Sequence, residues 1–456
     1  MTPPPRHILV VDIGKTNAKL ALVDVATLTE TAARTTPNRP LPGPPYPHAD
    51  IDGLWSFLLA GIAELNAGRR IDAIVVTTHG AAAALLDAAG ELALPVLDYE
   101  HPGPDALAAA YDAARPPFAE TGTPRLPLGL NLGAQLFWQA RAFPDAFARA
   151  ATILPYPQYW AFRLSGVAAS EATSLGCHTD LWNPAARAPS SLAVAEGWAA
   201  RLAPLRPAAD RLGPVTPEVA AATGLAPDTP VFCGIHDSNA SLLPHLLARP
   251  APFAVVSTGT WVIAMAVGGR RVALDPARDT LMNVDATGAP VPSARFMGGR
   301  EREIAAAGRA VEASPADLAA VLASGTMLLP ALEPGSGPFQ GRAAAWTAEP
   351  ATDGQRAAAV SLYLALVTAT CLDAIGAAGP TLVEGPFGAN PAFLAMLAAA
   401  TARPVLLPAA GGTGTSVGAA LLAAPDARPA AARPTSLPAD AAGLAAYAAA
   451  WRAAVA

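Results

Sequence analysis

The alternation of apolar and polar positions divides the chain into two stretches built on a similar plan. Residues 7–13 form a β-rich run ending in the polar turn Asp12-Ile13-Gly14-Lys15-Thr16-Asn17-Ala18-Lys19, and 20–25 a second, mostly apolar run after it. This pattern predicts a buried strand, a hairpin tip and a return strand. Trp55, Leu58, Leu59 and Ile62 recur at helical spacing, so 50–65 is predicted as a helix. Residues 71–77 read as a strand running into Thr78-His79-Gly80, and 81–87 with 92–97 as a hairpin whose second arm ends in Asp98-Tyr99-Glu100-His101. Helices are predicted at 108–114, 134–151, 194–203 and 217–223. The aromatic stretch 153–164 reads as core, with stacking on a sugar face as the alternative, and Ser170-Glu171-Ala172-Thr173-Ser174 as a polar turn.

The apolar run from 231 delivers Cys233-Gly234-Ile235-His236-Asp237-Ser238 to a strand end where a helix can begin. From 253 the first pattern returns: strand 253–257, a turn at Ser257-Thr258-Gly259-Thr260, and a return strand 261–267. Residues 281–284 read as a further strand. Helices are predicted at 302–312, 315–323, 355–377 and 391–402, and strands at 381–383 and 403–407, before a last helix to 424. The second half therefore looks like a diverged copy of the first.

Composition narrows the classes. At 456 residues the chain exceeds one hydrophobic core, which predicts two domains, 1–247 and 248–456. No apolar run of the length of a bilayer span escapes interruption, and the N-terminus lacks a signal-peptide layout, so no membrane role is expected. Cys177, Cys233 and Cys371 fit no disulfide or zinc spacing, which points to a reducing, cytoplasmic setting. A net charge of −6 without a basic block argues against nucleic acid. Oligomeric state is open, a homodimer included.

The turns carry the chemistry. Gly14 permits close backbone approach to a phosphate, Thr16 and Asn17 can donate hydrogen bonds, and Asp12 can hold Mg²⁺ through water. An ordinary polar hairpin tip is the competing account. Gly-Lys-Thr is not a P-loop here: Leu9 stands where that motif needs Gly, and a strand follows in place of a helix. Around Gly412 and Gly414 a dinucleotide fingerprint fails, because the third glycine, Gly418, comes one residue late. Asp237 offers a carboxylate that can take a proton, or a helix-capping acid. Its neighbours His236 and Ser238 cannot complete a hydrolytic triad with it, since triad members come from separated segments.

Together these features resemble the FGGY carbohydrate kinases, of the superfamily that includes actin, the seventy-kilodalton heat-shock chaperones and hexokinase. Residues 12–19 are similar to the first phosphate motif of that family, 257–261 to the second, and His236-Asp237-Ser238 to the segment with the catalytic base. Gly385–Gly388 sits where an adenosine-binding turn is expected, although Glu384-Gly385-Pro386-Phe387-Gly388 replaces the usual run of glycines. The His-Asp pair ahead of Ser-Thr-Gly-Thr-Trp looks most like the rhamnulokinase and fuculokinase branch. The resemblance implies an α/β fold of two ribonuclease-H-like domains, each a mixed sheet flanked by helices, with a cleft between. It implies ATP-dependent phosphorylation of a ketose with Mg²⁺. Asp237 would be the base, with His79, Gly80, Asp98, His236 and Ser238 around the sugar. Gly14, Lys15, Thr16, Asn17, Thr258, Gly259, Thr260, Asn283, Gly385, Phe387 and Gly388 would meet the nucleotide, and Asp12 would position Mg²⁺. Lys15 departs from the small residue common at its position, adding a phosphate contact or standing in solvent. A regulatory ATP- and sugar-binding relative is the alternative.

Overall fold

A computed structural model describes residues 5–309, 311–409, 414–435 and 441–456. The expected Gly411-Gly412-Thr413 turn lies outside these residues. The chain forms two compact units: Met1–Ala248 with Met282–Pro290 and Ala410–Pro429, and Arg249–Leu281 with Val291–Ala409 and Ala430–Ala456.

The sheet of the first unit is organised on β1 (His7–Ile13). It pairs antiparallel with β2 (Asn17–Asp24), which pairs in turn with β3 (Thr29–Pro37). On its other side β1 lies parallel to β4 (Ala73–Thr78), followed by Pro230–Phe232 and Arg211–Pro214 at the edge. Ile8, Leu9, Val10 and Val11 are fully buried because both faces of β1 are covered. Leu9, Val11 and Ile13 pack with Leu58 and Ile62 of α1 (Ile51–Gly68) and with Trp160. Ile8 and Val10 pack with Leu243, Val417 and Leu421 from helices on the opposite face. α1 starts where predicted because Asp50 caps it, accepting from Gly53 N at 2.9 Å.

The second unit repeats this plan. Phe253–Thr258 pairs antiparallel with Val262–Val267 and parallel with Thr381–Glu384, which is parallel to Val405–Leu407. Pro290–Phe296 extends the sheet beside Val262–Val267, then Thr280–Val284, and Arg433–Pro434 closes the other edge. The helix Asp353–Ala374 is long and apolar enough to cross a membrane, with a mean hydropathy of 1.7, yet 78% of that window is buried in the structure. It is the core helix of its unit.

Several predicted elements need correction. The helix expected at 134–151 is two helices, Leu132–Ala142 and Pro144–Ala148, because Pro144 cannot continue the first. The aromatic stretch is a short strand, Thr152–Pro155, and then a helix, Tyr156–Ser165. The helix expected at 194–203 is replaced by Ser191–Ala195, capped by Ser190. Gly298–Ala306 starts ahead of the expected 302. The strands β3 and Pro290–Phe296 and the helix Ala441–Val455 went unpredicted. β3 is polar and half-exposed, so its pattern carries little apolar alternation.

Candidate functional site

In the first unit, three parallel strand ends lie side by side. β1 ends at Asp12 and Ile13, β4 at Thr77 and Thr78, and Ile235–His236 pairs with β4 so that His236 stands opposite Thr78. Asp12 stands opposite Thr77. Parallel strands with the same polarity leave their carboxyl ends, and the turns after them, on one edge of the sheet.

Asp237 opens the helix Asp237–Ala248 at this edge. Its Oδ1 accepts from Ser238 N at 2.6 Å and Ser238 Oγ at 3.3 Å, and lies 3.2 Å from His236 Nε2. Those three contacts all end on one carboxylate oxygen, which leaves Oδ2 for a ligand hydroxyl. An acid in the first turn is also favoured by the helix dipole, so the capping role and a chemical one coexist.

His236 is buried and held on every side. Its backbone N–H donates to Thr173 Oγ1 at 3.1 Å, and that hydroxyl donates to Glu171 Oε2 at 2.5 Å. Glu171 caps Ala172–Leu175 and is itself fully enclosed; burial pushes its carboxyl up against the bonds from Thr173 and Ser174. Burial works against charge on His236 too, but Cys177, Asp237 and Glu171 outweigh it and raise its pKa to about 9. Asn239 Nδ2 lies 3.2 Å from His236 Nδ1, while Asn239 Oδ1 is buried without a partner. Turning that amide over would let Nδ1–H donate to Oδ1, the arrangement a charged imidazolium requires. Burial opposes the thiolate of Cys177, but His178 and His236 pull its pKa down to about 5.

Gly80 presses on the same imidazole. A Cβ there would lie 2.7 Å from His236 Nε2, so the close approach admits only glycine without displacement. His79 donates its backbone N–H to Ile13 O at 3.0 Å and sets its ring between Tyr99 and Tyr156. Burial, with Lys15 and His236 nearby, lowers its pKa.

Asp12 is held differently. Burial first, and then Asp237, raise its pKa to about 6 against the pull of Lys19, which Glu30 engages at 2.5 Å. Among the described residues no group of three or more His, Cys, Asp or Glu side chains is arranged for a metal. A half-buried carboxyl under the field of a second acid still fits Mg²⁺, an ion that takes one or two carboxylates and completes its shell with water and phosphate.

At the first turn, Gly14 N donates to Asn17 O at 2.9 Å and Asn38 Nδ2 to Gly14 O at 2.7 Å, while Thr16 and Asn17 are exposed. Lys15 folds away from the tip: its Nζ bonds Asp98 Oδ1, lies 3.2 Å from Glu100 Oε2, and stands 4.8 Å from the centre of the Tyr99 ring. Ser238 and Asp98 thus belong to the Asp237 end of the unit, as does Lys15. Asn283 lies in the segment Met282–Pro290, buried, with Oδ1 unpartnered and Met282 N donating to Gly122 O at 2.9 Å. The unit also carries a depression of about 810 Å³ lined by Trp55, Tyr159, Arg163 and Glu218, which contains none of the predicted residues.

The remaining predicted residues gather in the second unit. Thr258 Oγ1 donates to Glu384 O at 2.5 Å and accepts from Phe387 N at 3.1 Å. Gly385 has φ 79°, and a Cβ there would lie 2.0 Å from Thr258 O. The turn 385–388 is thereby locked to the end of Phe253–Thr258. Gly259 and Thr260 are exposed, and Gly299 N donates to Thr260 O at 3.1 Å. Phe387 is buried on Phe393, so its side chain is core and only its backbone is at hand. Reading the sequence missed Asn38, Tyr156, Cys177 and His178, which lie outside the phosphate and catalytic-base motifs, and Asn239, which directly follows Ser238 and draws its role only from the helix turn that sets it against His236.

Residues 7–244 match the N-terminal domain of the FGGY family of carbohydrate kinases, and residues 250–432 match the carbohydrate kinase FGGY C-terminal domain. A carbohydrate kinase from Novosphingobium aromaticivorans is 41% identical, covering 98% of this chain and 100% of its own, with a TM-score of 0.92. A xylulose kinase from Rhodospirillum rubrum is 24% identical over 98% of each chain, with a TM-score of 0.76. The glycerol kinase of Plasmodium falciparum, solved with ADP, is 13% identical over 99% of this chain and 97% of its own, with a TM-score of 0.79. At these two identities the likeness is one of fold. No curated protein matches the chain.

Proposed function

The chain belongs to the FGGY family of carbohydrate kinases, and we propose that it transfers the terminal phosphoryl group of ATP to a hydroxyl of a ketose, of the L-fuculose or L-rhamnulose type or a pentulose, with Asp237 as general base. The observation that carries this reading is the asymmetry of the Asp237 carboxylate. Ser238 and His236 contact Oδ1 alone and orient the group. Oδ2 then takes the hydroxyl proton as the oxygen of the sugar attacks phosphorus. His236 holds that geometry through Thr173 and Glu171, and Gly80 leaves room for it.

Phosphoryl transfer asks the protein for positioning and charge stabilisation more than for covalent chemistry. Gly14, Thr16 and Asn17 carry backbone and hydroxyl groups suited to nucleotide phosphate, and Thr258, Gly259, Thr260, Gly385 and Gly388 carry such groups within their own unit. Asn283 is assigned to the nucleotide as well. Asp12 would hold Mg²⁺, which when bound neutralises phosphate charge. His79 and Asp98 line the sugar side.

Turnover tests the reading. ADP release with Mg·ATP is measured on L-fuculose, L-rhamnulose, L- and D-ribulose, D- and L-xylulose, erythritol and glycerol; one preferred ketose is expected. Asp237→Asn should lower its turnover about 10²-fold or more and leave ADP binding nearly intact. Near-wild-type turnover in that variant removes Asp237 as base. Binding of ATP and sugar without turnover by the wild type favours the regulatory alternative.

A further inference from the structure

Lys15 is the residue whose position the kinase reading does not use. It belongs to the hairpin that would face phosphate, yet its ammonium is committed to Asp98, beyond the second hairpin of the unit. Asp98 Oδ1 also accepts from Glu100 N at 3.2 Å, so the carboxylate is oriented from two directions on one oxygen. The Asp98 side chain is 8% exposed and that of Lys15 20%. Lys15, Asn38, His79, Asp98, Tyr99 and Tyr156 line one narrow pocket. An ammonium has three donors. Two of them are directed at Asp98 and Glu100, which leaves a third beside an Asp98 oxygen that takes no donor among the described residues.

We infer that Lys15 and Asp98 form a specificity pair for the acceptor, with Lys15 serving the sugar and not the nucleotide phosphates. One hydroxyl of the acceptor donates to Asp98, and the neighbouring oxygen, a hydroxyl or an open-chain carbonyl, accepts from Lys15. The pair therefore suits a vicinal oxygen pair on a ketose. The inference rests on the kinase reading above. The Tyr99 ring backs the ammonium and contacts His79 edge-on at 5.4 Å, which ties the pair to the residue beside Gly80.

Lys15→Met and Asp98→Asn, singly and together, are assayed with whichever ketose of the panel the wild type turns over best. Each single change should raise KM for that ketose about tenfold or more, the worth of a charge-assisted hydrogen bond, with kcat less affected. The double variant should be scarcely worse than either single one, because the two side chains act together. KM for ATP and the Kd for ADP should stay within about twofold, and Lys15→Arg, which keeps the charge, should recover part of the ketose KM. A Lys15→Met variant that weakens ADP binding, while Asp98→Asn does not, would place Lys15 on phosphate and overturn the inference with the kinase reading intact. Unfolding temperatures that fall in both variants with KM unchanged would reduce the pair to a structural ion bridge. Should Lys15→Met not fold, an Arg variant with unaltered ketose KM and weakened ADP binding overturns it equally. A wild type inactive on the whole panel removes the kinase-on-ketose reading itself.

Discussion

Asp12→Asn isolates the electrostatic cost of the carboxyl at the end of β1. Burial and Asp237 raise its pKa from 3.8 to about 6. The folded state then keeps a proton between roughly pH 4 and pH 6 that the unfolded chain has already released, so wild-type stability falls as pH rises through that window. At ~1.4 kcal/mol per pH unit, giving up that proton costs the wild type up to about 3 kcal/mol above pH 6. Asparagine cannot ionise and escapes this cost. The expected outcome is a variant whose advantage over the wild type is small at pH 4.5, grows to pH 6 and stays level at pH 7.5. Urea unfolding followed by tryptophan fluorescence reads it at each pH. Mg²⁺ adds a second reading: it should raise the wild-type midpoint at pH 7.5 and leave the variant unmoved, since a ligand that binds only the folded state stabilises it. A difference that does not change with pH, or one that favours the wild type more as pH rises, would refute the reasoning.

Two further substitutions probe close packing. Gly80→Ala would put a Cβ 2.7 Å from His236 Nε2 and push the imidazole off Asp237; ketose turnover should drop about tenfold or more with ADP affinity kept, read by steady-state kinetics and calorimetry. Gly385→Ala combines a left-handed backbone with a 2.0 Å approach to Thr258 O; loss of about 1–3 kcal/mol of stability and weaker ADP binding are expected, and unchanged melting would show that the turn yields freely.

What the sequence disclosed follows the range of the interactions involved. His236, Asp237 and Ser238 are neighbours in the chain, so their shared chemistry was visible before any fold. The two hairpins were visible because an apolar run broken by a polar glycine turn is a local pattern. Lys15 and Asp98 are 83 positions apart, and no local pattern announces an ion pair between two loops. Gly80 against His236 is a contact of the same non-local kind. Gly385 and Phe387 were read together as nucleotide contacts, yet the first is fixed by backbone sterics and the second by core packing on Phe393. The edge strand β3 was missed for a physical reason: residues half-open to water need not alternate.

The repeated strand order explains why the candidate residues fall in two groups. In each unit a central strand has a hairpin partner on one side and a parallel neighbour on the other, so two strand ends and one hairpin tip always share an edge. That arrangement supplies backbone donors and small polar side chains in both units without prescribing their chemistry. In the first unit the edge carries Asp12, His79 and, through the additional strand Ile235–His236, Asp237. Asp12 and Asp237 meet there, and the pKa of Asp12 is raised by its burial first and by the second acid after it. In the second unit the corresponding edge carries Thr258, Gly259 and Gly385, with a hydroxyl spent on fixing a turn and a glycine chosen for lack of a side chain. An edge that concentrates negative charge suits a base and a cation, whereas one stripped to backbone and hydroxyls suits an anionic ligand. The same topology thus yields opposite electrostatics, and the proposed assignment of one edge to the sugar and the other to the nucleotide rests on which side chains each strand end carries.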